Sequence, residues 1–191
     1  MKKNNFILFV SCIFSFSVTF FPAISCRRYN TQQQAQDANE IDRLKKEVLL
    51  RVNQQLVEED VNDIEAFAER KGWQMKTTDS GLRYMIYEKG NGEKASMGKK
   101  ATLEYTVSLL DSTVCYSSAL SGPRIIRLGH GDMETGLNVE TGLEEGLLLM
   151  RVGDKARLIL LPHLAHGLSG DGNCIPRRAT VLYDIELVSL Q

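Results

Sequence analysis

The stretch from Thr141 to Pro162 constrains the fold most: Thr-Gly-Leu-Glu-Glu-Gly-Leu-Leu-Leu-Met-Arg-Val-Gly-Asp-Lys-Ala-Arg-Leu-Ile-Leu-Leu-Pro. Thr141 and Glu144 stand at capping-box spacing, so a helix is expected to start there. Leu143, Leu147 and Met150 follow at i, i+4 and i+7 and lay one apolar stripe along a short helix. Gly153 is placed to end that helix as a left-handed residue. Ala156 to Leu161 then reads as a mostly buried strand. One short helix and one strand cannot bury themselves, so the remaining chain must wrap them.

What wraps them is strand-rich. Trp73 to Met75 and Leu82 to Tyr87 read as short strands around the turn Thr78-Asp79-Ser80-Gly81. Thr102 to Leu109 alternates cleanly: Leu103, Tyr105, Val107 and Leu109 share one face, and Thr102, Glu104, Thr106 and Ser108 the other. That is a half-buried antiparallel strand. Thr113 to Tyr116, Arg124 to Leu128 and Thr180 to Leu187 are further strands, with a Gly-rich loop from Gly167 to Asn173 before the last. Strands, one helix, then strands predict an α+β fold with an antiparallel sheet wrapped on a single short helix.

The chain before residue 73 has a different character. Lys2-Lys3 precedes Phe6 to Phe21, whose polar interruptions are only Ser, Thr and Cys. That is the pattern of a secretory signal over residues 1–25, short for a membrane span, with a retained anchor helix as the alternative. Ala23-Ile24-Ser25-Cys26 resembles the lipobox of bacterial lipoproteins, which implies lipidation at Cys26; ordinary signal cleavage is the alternative. Residues 26–37 read as the lipidated Cys and a flexible tether. Residues 38–72 read as a helical pair. Ile41, Leu44, Val48, Leu49, Val52 and Leu56 stripe the first helix, and Asp60 or Asp63 caps a second carrying Ile64, Phe67 and Ala68. Such a pair must pack on the domain, on a second copy or on a client. With Cys12 and Cys26 accounted for, Cys115 and Cys174 remain. A disulfide is possible in an exported chain, but a loop position and a strand position in a domain of this size favour two free thiols. The net charge of −1 and the lack of a basic run after residue 28 argue against a nucleic-acid partner.

Residues 81–189 resemble the macrolide-binding, FKBP-type peptidyl-prolyl isomerases. The resemblance is carried by Leu103-Glu-Tyr-Thr106, Val114-Cys-Tyr-Ser-Ser118, Gly142-Leu-Glu-Glu-Gly146, Val152-Gly-Asp-Lys-Ala156, Ile175-Pro176 before Ala179-Thr180, and Leu182-Tyr-Asp-Ile-Glu-Leu187. The exported, helix-preceded arrangement is similar to lipoprotein members of this family in Bacteroidetes-like bacteria. The resemblance implies an FKBP-like domain over residues 73–191 and proline-containing unfolded or exported proteins as clients. It also implies a possible homodimer through the N-terminal helices, and a cell-envelope location, lipid-anchored and facing the periplasm by default.

Rotation about an X–Pro bond faces a barrier of about 18–20 kcal/mol and needs no nucleophile and no cofactor. An enzyme gains by holding the prolyl ring in a dry aromatic pocket that favours the twisted amide. After Tyr87 the chain has three aromatics, Tyr105, Tyr116 and Tyr183, and all three match the family's pocket walls. By the same resemblance Leu143 stands at the floor, where the best-known members have Trp. Ile175 and Val139 match apolar contacts, and Ser117 stands where an Asp is usual. His166 replaces a Tyr whose hydroxyl would donate to a peptide carbonyl. Glu140 can inherit only a backbone N–H role, and Cys174 falls among the substrate contacts. These replacements keep a second reading open: a non-catalytic peptide-binding chaperone or assembly lipoprotein with a degraded pocket. His163 and His166 are three apart, but no Cys or carboxylate completes a ligand set in sequence, so no metal is expected. Gly170-Asp171-Gly172-Asn173 reads as turn chemistry at a loop tip.

Overall fold

The computed structural model describes residues 22–132 and 139–191, with side chains over residues 33–130 and 139–191. Residues 1–21 of the signal segment read over residues 1–25 lie outside the described residues, as does part of the segment before Val139. The chain divides into two units, Met1–Gln55 and Leu56–Gln191.

The first described element is a single helix, α1, over Pro22–Lys71. This corrects two expectations, the tether over residues 26–37 and the helical pair over 38–72. No Gly or Pro interrupts Ala23 to Lys71, so nothing stops a helix once it has nucleated. Asp60 is not a cap; its carboxylate instead holds Arg178 Nη2 at 2.8 Å. Gly72, at φ 68°, ends the helix where an L side chain would be strained.

In the first unit, Ile41, Leu44, Val48, Leu49 and Val52 are 46–63% exposed. In the second unit, the last turns of α1 are buried. Ile64 and Phe67 pack with Ile159 and Leu161 and are flanked by Trp73, Met75 and Leu182. Phe67 meets Trp73 edge to face at 5.6 Å.

The second unit is an antiparallel sheet with one two-turn helix. Its strands are β1 (Lys76–Thr77), β2 (Arg83–Glu88), β3 (Lys100–Leu109), β4 (Val114–Ser117), β5 (Arg124–Arg127), β6 (Gly131–Asp132), β7 (Lys155–Leu160) and β8 (Val181–Leu190). They run in the order β1-β2-β7-β8-β3-β5-β6, with β4 also paired to β3. A one-turn helix, α2 (Ser118–Ser121), follows β4, and α3 (Thr141–Leu148) packs into the apolar core. This is the predicted sheet wrapped on one short helix.

Helix α3 sits close because two of its residues lack a side chain. A Cβ at Gly146 would lie 2.4 Å from Leu158 Cδ1, and one at Gly142 would lie 2.8 Å from Leu160 Cγ. Leu143, Leu147 and Met150 are buried against Leu103, Val107, Leu158 and Ile185. The expected capping box does not form. Glu140 occupies the N-cap position without a side-chain cap, and Glu144 accepts from the Gly129 N–H instead. Gly153 does not end the helix either. It sits at φ 87° in the turn before β7, where its N–H donates to Leu187 O at 2.8 Å. The neighbouring Asp154 is buried, accepting from Gly90 N at 2.6 Å and from Arg151 N at 2.7 Å.

Candidate functional site

Register brings the three tyrosines to one place. Val107 on β3 pairs with Tyr116 of β4 on one side and with Tyr183 of β8 on the other. Side chains of paired residues share a sheet face, and Tyr105, two residues before Val107, shares it too. That face carries the core under α3. Leu143, Ile175 and Tyr183 are buried within it, and Tyr105, Tyr116 and Val139 pack against it half-buried. The sequence-predicted walls and floor therefore converge.

Each wall is held from behind. The Tyr105 N–H donates to Ser118 Oγ at 3.1 Å, and its hydroxyl lies 3.1 Å from Ser121 Oγ. The Tyr116 hydroxyl donates to Asp171, and Asn173 Nδ2 donates to the same hydroxyl at 3.3 Å. Asp171 also accepts from the N–H groups of Asn173 at 2.9 Å and Ile175 at 2.8 Å. The turn residue of the sequence reading is thus the knot that ties Ile175 to Tyr116. Burial and the Asp171 bond push the Tyr116 hydroxyl above its ordinary pKa. For Asp171 burial acts upward, but the bonds from Tyr116 and the two N–H groups outweigh it and lower the pKa.

Cys115 and Cys174 form a disulfide with Cα atoms 5.5 Å apart. This corrects the expectation of two free thiols. The strand β4 and the loop are far apart in sequence, but the sheet sets their backbones at bridging distance. Cys174 is therefore a cross-link of the loop, and its thiol is unavailable as a substrate contact. The Ser117 side chain is also engaged, accepting from Ala119 N at 3.2 Å at the start of α2.

Charge gathers beside the tyrosines. Glu140 Oε2 lies 3.1 Å from Arg124 Nη1, and its Oε1 lies 3.3 Å from His166 Nε2. The Tyr183 hydroxyl lies within electrostatic reach of the same carboxylate. Burial alone would raise the Glu140 pKa; the His166 hydrogen bond and the Arg124 charge more than offset it and bring it to about 2. Burial, then the Glu140 charge, drive the Tyr183 hydroxyl well above its ordinary value. The Glu140 side chain, expected to be a bystander to its backbone, is the hub of the cluster. Arg124 escaped the sequence reading because 16 residues separate it from Glu140 and no periodicity links β5 to the segment before α3.

His163 and His166 diverge: His163 Nε2 lies 3.2 Å from Ser80 O while His166 turns to Glu140. Among the described residues no group of three or more His, Cys, Asp or Glu could hold a metal ion. A groove of about 330 Å³ lies elsewhere, between the end of α1 and β1–β2, lined by Ile64, Ala68, Trp73, Met75 and Arg83. The tyrosine-walled face has an apolar floor, phenol walls and a charged cluster, and no activated nucleophile. It can bind an apolar ring and hydrogen-bond around it.

The comparisons agree with this architecture. A model of the FKBP-type peptidyl-prolyl cis-trans isomerases matches residues 91–188. The chain belongs to that family. It is 30% identical over 112 residues to FK506-binding protein 1 of Dictyostelium discoideum, covering 58% of this chain and 99% of that one. It is 34% identical over 117 residues to a probable FKBP-type isomerase, FkpA, of Neisseria meningitidis, covering 61% of this chain and 40% of the other. The crystal structure of FkpA from Escherichia coli superposes with a TM-score of 0.59 at 25% identity, over 86% of this chain and 72% of that one. The chain spans about half the length of several of the curated relatives it matches.

Proposed function

We propose that this FKBP-type chain isomerises X–Pro bonds in exported proteins of the cell envelope. The observation that carries the reading is the convergence of Tyr105, Tyr116 and Tyr183 on one face, over the floor made by Leu143 and Ile175. The proline ring would enter among the tyrosines, out of water. Loss of amide resonance at the twisted bond is then compensated by contacts stronger in the twisted form than in either planar one. Val139 lines the wall, Glu140 offers its backbone N–H, and His166 stands at the edge. With Leu143 in place of a larger aromatic floor, apolar contact of about 1–3 kcal/mol is given up, so weak macrolide binding is expected.

We further propose that Cys26 is lipidated and holds the chain on the membrane, as in lipoprotein members of the family, with the domain facing the periplasm. The exposed stripe Ile41, Leu44, Val48 and Leu49 is a surface for a second copy of this chain. Exchange spectroscopy on a proline tetrapeptide tests the isomerase reading. Turnover is expected, with Tyr183→Ala and Tyr105→Ala each lowering kcat/KM about tenfold or more. Unchanged rates in both variants would remove the site from consideration. The charged cluster favours a second reading, a peptide-binding chaperone without catalysis. Suppressed aggregation of an unfolded protein, with isomerisation no faster than background, would establish it.

A further inference from the structure

The groups of the charged cluster are unequally exposed. Tyr183 keeps 2% of its exposure and the Glu140 side chain 10%, whereas Arg124 keeps 19% and His166 22%. The carboxylate therefore lies behind, with a guanidinium and an imidazole in front of it. Coulomb energy falls with distance, so an approaching group meets the nearer charge more strongly even though the pair is neutral as a whole. A second carboxylate within electrostatic reach of His166 is Asp171, and its oxygens are taken up by the Tyr116 hydroxyl and the Asn173 and Ile175 N–H groups. Both carboxylates of the site are thus bonded to protein donors.

We propose that Arg124 is a specificity-determining residue and Glu140 its positioning residue, so that the site selects peptides with an acidic side chain next to the proline. This deepens the prolyl-site reading and rests on it. Four segments supply the cluster: β5, the turn before α3, the loop carrying His166, and β8. The charge on the rim is consequently placed by the fold as a whole. Removing Glu140 takes away the carboxylate behind the rim cation, and removing Arg124 leaves a carboxylate facing the ligand. The two changes shift preference in opposite directions, which a merely structural role would not do.

The test compares kcat/KM of the full chain on Ala-Glu-Pro-Phe, Ala-Gln-Pro-Phe and Ala-Lys-Pro-Phe peptides by exchange spectroscopy at low and high salt. The expected order is Glu, Gln, Lys, with a Glu-to-Lys ratio of roughly three- to tenfold at low salt that shrinks at high salt. Glu140→Gln raises the ratio, Arg124→Leu brings it to about one or below, and Arg124→Lys retains it. Ratios within one variant do not depend on how much of it is folded. A wild-type ratio near one or reversed, with turnover intact, overturns the proposal, as does a ratio that Arg124→Leu leaves unchanged. Absence of turnover on all three peptides fails the isomerase reading instead. The same ranking is then read from peptide binding by chemical-shift titration, and equal affinities overturn the proposal.

Discussion

At the scale of single residues, Glu140 is where burial and charge conflict most directly. An ionised carboxylate so little exposed is tolerated only because Arg124 and His166 satisfy it. Its pKa of about 2 in the fold lies below the 4.5 of an unconstrained Glu. A depressed carboxylate contributes stability that is fully present above its unfolded pKa and is lost as pH falls through the folded one. Thermal melts of wild type and Glu140→Gln should therefore differ at pH 6, with the variant less stable, and the difference should close between about pH 4.5 and 2. A difference that persists unchanged to pH 2 would mean that the Glu140 charge does not stabilise the fold. Arg124, its main partner, carries no signature in sequence beyond being a charged residue at the start of a strand.

At the scale of elements, the loop bearing Ile175 is tied twice to β4, by the Cys115–Cys174 disulfide and by the Tyr116–Asp171 hydrogen bond. The bridge closes 59 residues of separation, which in the chain-entropy account is worth about 4 kcal/mol. Replacing both cysteines with serine should lower the denaturant midpoint accordingly without abolishing the fold, since the second tie and the sheet remain. A midpoint equal to wild type would show that the cross-link adds nothing to the sheet's own order. The strand alternation of Thr102 to Leu109 and the apolar stripe of α3 were readable because the periods of 2 and 3.6 are local properties. The missing capping box was not. Whether Glu144 reaches back to its own helix or across to Gly129 depends on which backbone N–H the sheet brings near.

At the scale of the whole molecule, the helix α1 over Pro22–Lys71 divides its apolar residues between two settings. Ile64 and Phe67 are buried in the second unit, whereas Ile41, Leu44, Val48, Leu49 and Val52 remain about half exposed in the first. Apolar surface in a row along a helix is unfavourable in water and is covered in most helical proteins. If a second copy covers it, light scattering should give a dimer for the full chain and a monomer for a chain starting at Leu56. The shorter chain should keep its unfolding midpoint, because the core under α3 and the contacts of Ile64 and Phe67 all lie within Leu56–Gln191. A monomeric full chain would rule out self-association through α1.

Sequence by itself determined the fold class, the position of α3, the strand that carries Tyr105, and the three tyrosines as a set, because each is written in local period or in an ordered run of motifs. It also pointed to the family, through the resemblance of six short motifs in their order along the chain. Tertiary structure alone decided the rest. It paired Cys115 with Cys174, turned Ser117 to a cap, merged two expected helices into one, and gathered Arg124, Glu140, His166 and Tyr183 around one carboxylate. These outcomes depend on distances between segments remote in sequence, and such distances exist only once the sheet has closed over its helix.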